Sequence, residues 1–447
     1  MGNKKKPSTN GWIRRVDNVS LEEANSSIKV PASNASFLRK LLAFMGPGSL
    51  IAVGYVDPGN WATSIAGGSE FGYTLLSVIL IASLIAMLMQ EMAARLGIAT
   101  GKDLAQATSA SVGKKTSFFL WILTELAIIA TDIAEVIGSA IALKLLFNIP
   151  LLLGVTITTL DVLLLLLLQK RNFRIIESIV TVLMATIFII FGYEIFLSHP
   201  NAVQLLKGYL PQTEIVTNTN MLFMGLGILG ATVMPHNLYL HSSIIQTRSY
   251  ERTEKGKKEA VTFARIDSVF SLTIAFFINS MILILGAAAF YKSGQVIGGI
   301  EDAYALLAPA VGASIASTLF AIALLASGQN STITGTLSGQ IVMEGFIHLR
   351  VKPWIRRVIT RLIAVIPVFI VTLIAGENGT ADLLILSQVI LSMQLPFALV
   401  PLVLYTSDPH KMGSFVNSMW VKVLAWIATV IIIILNIYLV VYTIVGN

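Results

Sequence analysis

The sequence predicts an all-α polytopic membrane protein of about eleven transmembrane helices, arranged as two inverted five-helix repeats whose first and sixth helices are broken. Three observations predict it. The 447 residues are 55% hydrophobic and only 12% charged, with a mean hydropathy of +0.79, whereas soluble domains carry roughly 25% charged residues. Apolar runs close to the ~20 residues needed to cross the hydrocarbon core recur from end to end. Two of those runs, five spans apart, are interrupted at mid-length by a proline beside side chains able to bind a ligand, which is the sequence sign of inverted repeats around a mid-membrane site.

In chain order, a polar tail over 1–41 precedes the first run. It predicts no cleavable signal peptide and a segment that is disordered or lies on the membrane surface. The runs cover 42–66, 74–97, 117–143, 149–168 and 175–197, the first repeat, which spans 42–197 as a unit. The second repeat, 220–406, holds runs at 220–244, 263–291, 310–345, 358–376 and 380–406, and an additional eleventh helix follows at 418–445. The charged stretch Ser249 to Arg265 reads as a solvated or amphipathic linker.

The net charge of +7 is topological and does not point to nucleic acid. With eleven spans and a cytoplasmic N-terminus, all of the 31 Lys and Arg except Lys144, Lys207 and Lys292 fall on the cytoplasmic side or at the helix ends beside it. Glu214, Glu301, Asp302 and Glu377 fall outside. The expectation is a multi-pass protein of the cell membrane, bacterial inner or plasma membrane by its short loops, with the C-terminus outside. Cysteine is absent, which excludes disulfides, thiolate metal sites and cysteine nucleophiles. Any soft metal ligand must be methionine.

The first break is GYVDPGNW, Gly54 to Trp61. Pro58 has no N–H and so frees the carbonyl of Gly54, while Asp57 and Asn60 supply side-chain oxygens within one turn. The second lies in GLGILGATVMPHNLYLH, Gly225 to His241, where Pro235 frees the carbonyl of Ala231 between Met234 and His236. Irregular backbone at membrane depth is tolerated only where it is buried in protein or lines a cavity. One carboxylate, neutral oxygens and a thioether suit a divalent transition metal better than Mg²⁺ or Ca²⁺. An acid at this place would repel an amino-acid carboxylate.

These two motifs, DPGN at Asp57–Asn60 and MPH at Met234–His236, resemble the paired metal-site motifs of the Nramp family of proton-coupled divalent metal transporters, in particular its bacterial manganese transporters. GQNSTITGTLSGQIVMEGF, Gly328 to Phe346, resembles that family's transport signature, and the resemblance extends over essentially the whole chain. It implies a leucine-transporter-like fold and import of Mn²⁺, with Fe²⁺, Co²⁺, Zn²⁺ and Cd²⁺ as related cargo, coupled to protons by alternating access. It implies further that Asp57, Asn60 and Met234 bind metal through side chains and Ala231 through its carbonyl, with Gly54 and Gln388 joining in other states. His236, the acids Glu125, Asp132 and Glu135 of the third span, and Arg361 would form the proton path. Asp132 and Glu135 could also simply pair with Arg95 or Arg361 and hold helices together.

The substrates are thus a divalent metal ion and protons in a lipid bilayer, with no cofactor, no nucleic acid and no obligatory protein partner. An enzyme is not expected, because His236 and His241 lack the glutamate pattern of a metalloprotease. The alternative reading is a sodium-coupled amino-acid carrier of the same architecture, which Met234 disfavours.

Overall fold

The computed structural model describes residues 13–15, 20–31, 35–160, 173–291, 294 and 296–445. Helices dominate. The first span is in three pieces: α1 (Phe37–Phe44) and α2 (Pro47–Gly54), bent by 43° at Gly46, then α3 (Pro58–Phe71). Next come α4 (Leu76–Thr100), closed by Gly101 in the left-handed region, and a short α5 (Leu104–Ser109) opened by an Asp103–Gln106 capping box. They are followed by α6 (Lys114–Phe147), α7 (Leu151–Thr158) and α8 (Phe173–Ser198).

The sixth span divides like the first, into α9 (Thr219–Thr232) and α10 (Pro235–Ile244). Then follow α11 (Glu254–Ala289), a surface helix α12 (Ile300–Val311), α13 (Ile315–Ile347), α14 (Pro353–Thr406) and α15 (Met419–Val445). Within α14, Gly376 at φ 65° and ψ −150° separates the ninth and tenth spans without an intervening loop. Only a glycine enters that region at no steric cost.

The helices fall into two packing groups. α6 makes its most extensive contacts with α13 and α14, while α11 packs against α2, α3 and α4. Glycines allow the second group its close approach: a Cβ on Gly68 would lie 2.3 Å from the Leu283 carbonyl oxygen, and one on Gly286 would lie 2.8 Å from that of Ile65. The outward surface is apolar, with Ile189, Phe196, Ile374 and Trp420 widely exposed, as expected where the solvent is hydrocarbon.

Four expectations need correction or limits. Among the described residues, eight helices are long and apolar enough to cross a membrane, or nine if the bent pair α1–α2 counts as one span. Of the eleven runs counted in the sequence, the fourth is described only as far as residue 160, with α7 as its helical part. The eighth, α13, is a 33-residue helix too polar for that test: most of its Ser, Thr, Asn and Gln side chains are buried in protein. The stretch Ser249 to Arg265 is mostly not a linker, since α11 starts at Glu254, capped by Thr253. The all-α description also needs two small additions, β1 (Ile13–Arg15) antiparallel to β4 (Leu349–Val351) and β2 (Ile28–Lys29) parallel to β3 (Arg248–Ser249). Where described, the N-terminal tail is therefore docked on the protein and not disordered. Backbone hydrogen bonding to loop edges holds it there.

Candidate metal centre

The two breaks share one local design. In each, a potential ligand occupies the N-cap position of the second half-helix and a proline follows at N1: Asp57–Pro58 opens α3, and Met234–Pro235 opens α10. Proline is favoured at N1 because its missing N–H would be unpaired there anyway, and its fixed φ suits the first turn. The Asp57 carboxylate caps its own helix, with Oδ1 accepting from the Asn60 backbone N–H at 2.9 Å. Oδ2 has no hydrogen-bond partner, although Asp57 is fully buried. An unpaired buried carboxylate oxygen is costly unless something binds it.

Asn60 joins the two breaks. Its side-chain N–H₂ donates to the Tyr55 carbonyl and, at 3.1 Å, to the Ala231 carbonyl that Pro235 leaves free. Its Oδ1 is unpartnered. Asn279 of α11 also donates to the Tyr55 carbonyl at 2.8 Å. The Val56 carbonyl accepts from Ser327 of α13 and, at 3.2 Å, from the Trp61 indole. The carbonyls loosened by the first break are thus taken up by Asn60 and Trp61 of the same span, by Asn279 of the seventh and by Ser327 of the eighth.

Gln388 lies directly beside the first break. A Cβ on Gly59 would fall 1.8 Å from its Nε2, and one on Gly230 would fall 2.2 Å from its backbone oxygen. Its Oε1 is another buried, unpartnered acceptor. Gly54 ends α2, and a Cβ there would meet the Asn237 amide nitrogen at 2.3 Å. That same nitrogen donates to the Met234 sulfur at 3.7 Å. Met234 is fully buried against Ala130 and Leu391. The structure therefore brings together all six residues of the expected ligand set, through Asn60 on one side and Asn237 on the other.

Among the described residues no group of three or more His, Cys, Asp or Glu could hold a metal ion. The candidate set needs none, since it has one carboxylate and is otherwise built of carbonyls, amides and a thioether.

On the other flank lies a fully buried charge cluster. Arg357 bridges the third-span acids, pairing with Asp132 and, at 2.9 Å, with Glu135. Arg361 reaches Glu135 at 3.6 Å and the Asp132 carbonyl at 3.3 Å. Thr332 donates to Glu135 at 3.0 Å. Glu125, further along α6, pairs with Arg356 at 2.6 Å. Glu135 lies within electrostatic reach of Asp57, and Asp132 within reach of His236, whose Nδ1 is unpartnered. Acids and arginines are thus strung along α6, in two groups of ion pairs, on the flank of the candidate site.

Arg361 is a partner of these acids as expected, but Arg95 is not: it pairs with Glu91 on its own helix. Sequence reasoning missed Arg356 and Arg357, which it read only as topological charge. The available signal was the i, i+4 spacing of Arg357 and Arg361 at the start of an apolar run, which puts two guanidinium groups on one helix face. It also missed Asn237, Asn279 and Tyr55. His241, five residues beyond His236, meets Gln90 at 3.0 Å and Ser268 at 3.3 Å.

Comparisons with known proteins agree with this geometry. Two other solved structures share the fold: Mhp1, a nucleobase-cation-symport-1 family transporter, in a closed conformation (TM-score 0.59, 15% identity, 93% of this chain and 92% of that chain) and MhsT in complex with L-phenylalanine (TM-score 0.58, 16% identity, 87% and 98%). The fold is thus leucine-transporter-like. A crystal structure of the Eremococcus coleocola manganese transporter superimposes with a TM-score of 0.88 at 47% identity, over 96% of this chain and 93% of that one.

A protein of Listeria welshimeri named divalent metal cation transporter MntH is 64% identical over 434 residues, 97% of each chain. One of the same name from Nostoc sp. is 58% identical, over 94% of this chain and 95% of its own length. The profile described as natural resistance-associated macrophage protein-like, Nramp, matches residues 48–442. Broken helices with ligand-bearing caps, the buried charge line and these full-length matches converge, and the chain belongs to the Nramp family.

Proposed function

We propose that this chain imports a divalent transition-metal cation, Mn²⁺ foremost and Fe²⁺, Co²⁺, Zn²⁺ or Cd²⁺ as related cargo, together with protons, by alternating access. The observation that carries the reading is the pair of facing helix breaks. Asp57 and Met234 cap the second halves, and Asn60 links the first break to the carbonyl freed in the second. The names of the similar proteins, divalent metal cation transporter and manganese transporter, support the same class of cargo.

In this reading Asp57 supplies the charge, Asn60 Oδ1 and the Ala231 carbonyl supply neutral oxygens, and Met234 supplies the soft ligand. Gln388 Oε1 and the Gly54 carbonyl complete the shell as the cation passes between states. The half-helix C-termini at Gly54 and Thr232 present the negative ends of their dipoles to the cation. The two repeats, 42–197 and 220–406, with 418–445 outside them, place both breaks near mid-membrane, and the N-terminus lies in the cytoplasm. α2, α3, α9 and α10 move against a scaffold of α6, α7, α13 and the first half of α14.

Protons take the charge line: His236 and Asp57 at the site, Glu135 and Asp132 held by Arg357 and Arg361, then Arg356 and Glu125. A negative interior favours entry by about 2.3 kcal/mol per charge per 100 mV, and by twice that for a divalent cation.

The test is Mn²⁺ uptake into proteoliposomes with excess Ca²⁺ outside. Intact protein transports Mn²⁺ despite the competitor, and Asp57→Ala is inactive. No Mn²⁺ flux in the intact protein, or normal flux in Asp57→Ala, overturns the reading and favours an amino-acid carrier of the same fold.

A further inference from the structure

The N-terminal segment from Ser20 to Lys29 is held far more closely than a tail needs to be. Ser20 and Leu21 are buried, Leu21 in the main hydrophobic cluster. The Ser20 hydroxyl lies 2.6 Å from that of Ser243 at the end of α10. The Ser26 backbone N–H donates to the Gln246 carbonyl at 2.9 Å, and Ile28–Lys29 pair with Arg248–Ser249. Leu21 and Ser26 have φ of 45° and 55°. Residues other than glycine occupy that region only when their surroundings impose it, so the segment is fitted to its seat.

The same segment is tied to the other packing group. Glu22 and Glu23 reach Arg350 at 3.2 and 3.5 Å, and Arg350 also pairs with Glu344 of α13 at 3.0 Å. β1, earlier in the tail, pairs with β4 beside Arg350. The seat lies where the start of the first span is also fastened. Arg248 pairs with Glu177 of α8 and donates to the Met45 carbonyl at 2.8 Å, while Asp267 of α11 accepts from the backbone of Gly46 and Gly48 at 3.2 and 2.7 Å.

We propose that residues 20–29 are a cytoplasmic latch, an intramolecular ligand anchored on the α13–α14 connection, whose release from residues 243–249 is required for the inner path to open. The latch rests on the alternating-access reading above, in which α2 and α10 move against α13 and α14. A segment bonded to both bodies must let go of one of them. The β1–β4 pairing and the Arg350 ion pairs keep it on the scaffold, so the contacts at 243–249 are the ones that break.

Because the chain has no cysteine, an introduced one reports alone. Phe346→Cys is a suitable reporter, since Phe346 of α13 is buried with its ring 5.6 Å, centre to centre, from that of Tyr239 of α10. Its labelling by a membrane-impermeant maleimide from the cytoplasmic side is measured in reconstituted full-length protein, in a deletion of residues 2–31, and in Ser26→Pro. The proline removes the donor to Gln246 and forbids the positive φ. In both variants labelling rises about tenfold, the change expected for a latch worth ~1.4 kcal/mol, while Mn²⁺ binding is retained. Unchanged labelling in both variants, each still binding Mn²⁺, overturns the latch.

The reciprocal test is Ser20→Cys with Ser243→Cys. Oxidation stops Mn²⁺ uptake and reduction restores it, whereas uptake indifferent to the disulfide overturns the proposal. Absence of uptake in the intact protein would instead sink the transport reading, and the labelling comparison would still decide the latch.

Discussion

At the scale of single residues, the candidate centre is a set of unmet hydrogen-bond demands. Asp57 Oδ2, Asn60 Oδ1 and Gln388 Oε1 are buried acceptors without partners, and a soluble core would not keep three of them so close. In the transport reading a bound cation would answer these acceptors. Met234 contributes little charge attraction, so its removal should alter selectivity more than affinity. Met234→Ala is expected to keep Mn²⁺ uptake while losing about tenfold in discrimination against Ca²⁺, or ~1.4 kcal/mol. Competition uptake measures this, and an unchanged Mn²⁺/Ca²⁺ ratio would remove the sulfur from the site. Gly59 makes a second residue-scale prediction. A methyl there meets the flexible end of Gln388, so Gly59→Ala should displace that side chain and slow Mn²⁺ uptake while thermal stability is largely kept. Normal uptake rates would show that Gln388 has no part in the cycle.

Between helices, two kinds of contact hold the bundle. α3 and α11 meet through Gly68 and Gly286, where backbone lies against backbone and nothing can yield. Gly68→Ala should therefore lower stability by about 1–3 kcal/mol, the usual cost of overpacking, seen as a lower melting temperature in detergent. α6 and α14 meet through charge. Arg357→Ala would leave Asp132 and Glu135 short of their main partner in a dry site, and removing one member of such a buried pair costs about 3–5 kcal/mol. Arg357→Ala combined with Asp132→Asn and Glu135→Gln should recover most of that stability but not the dependence of uptake on a proton gradient. Recovery of proton dependence in the triple variant would show that the acids are only structural.

For the molecule as a whole, the two packing groups meet at the broken helices, and every candidate ligand lies at or beside that seam. α11 gathers α2, α3 and α4, and α6 gathers α13 and α14. A seam of this kind lets one group rock against the other around a fixed site. Two charges crossing the membrane with the metal make transport electrical. Mn²⁺ uptake should therefore rise when an inside-negative potential is imposed with a potassium gradient and an ionophore. Uptake indifferent to potential would require full charge compensation by an exported cation, which the import-with-protons reading forbids.

The membrane class, most of the apolar helices, the two breaks and the candidate ligands beside them were legible in the sequence, because these rest on local chemistry: apolar length, proline without an N–H, and one acid at membrane depth. Asp57, Asn60, Ala231 and Met234 were legible for that reason. Which arginine meets which acid was settled only by how the helices pack. Arg357 was read as topological charge, and its pairing with Asp132 and Glu135 depends on how α14 is rotated against α6. The tail was likewise misjudged, since Ser20 to Lys29 is polar enough to be disordered alone. Its order comes from Ser243, Gln246, Arg248 and Arg350, partners distant in sequence that are assembled only when the helices pack. Local chemistry is written along the chain, whereas long-range pairing depends on geometry that no short stretch carries.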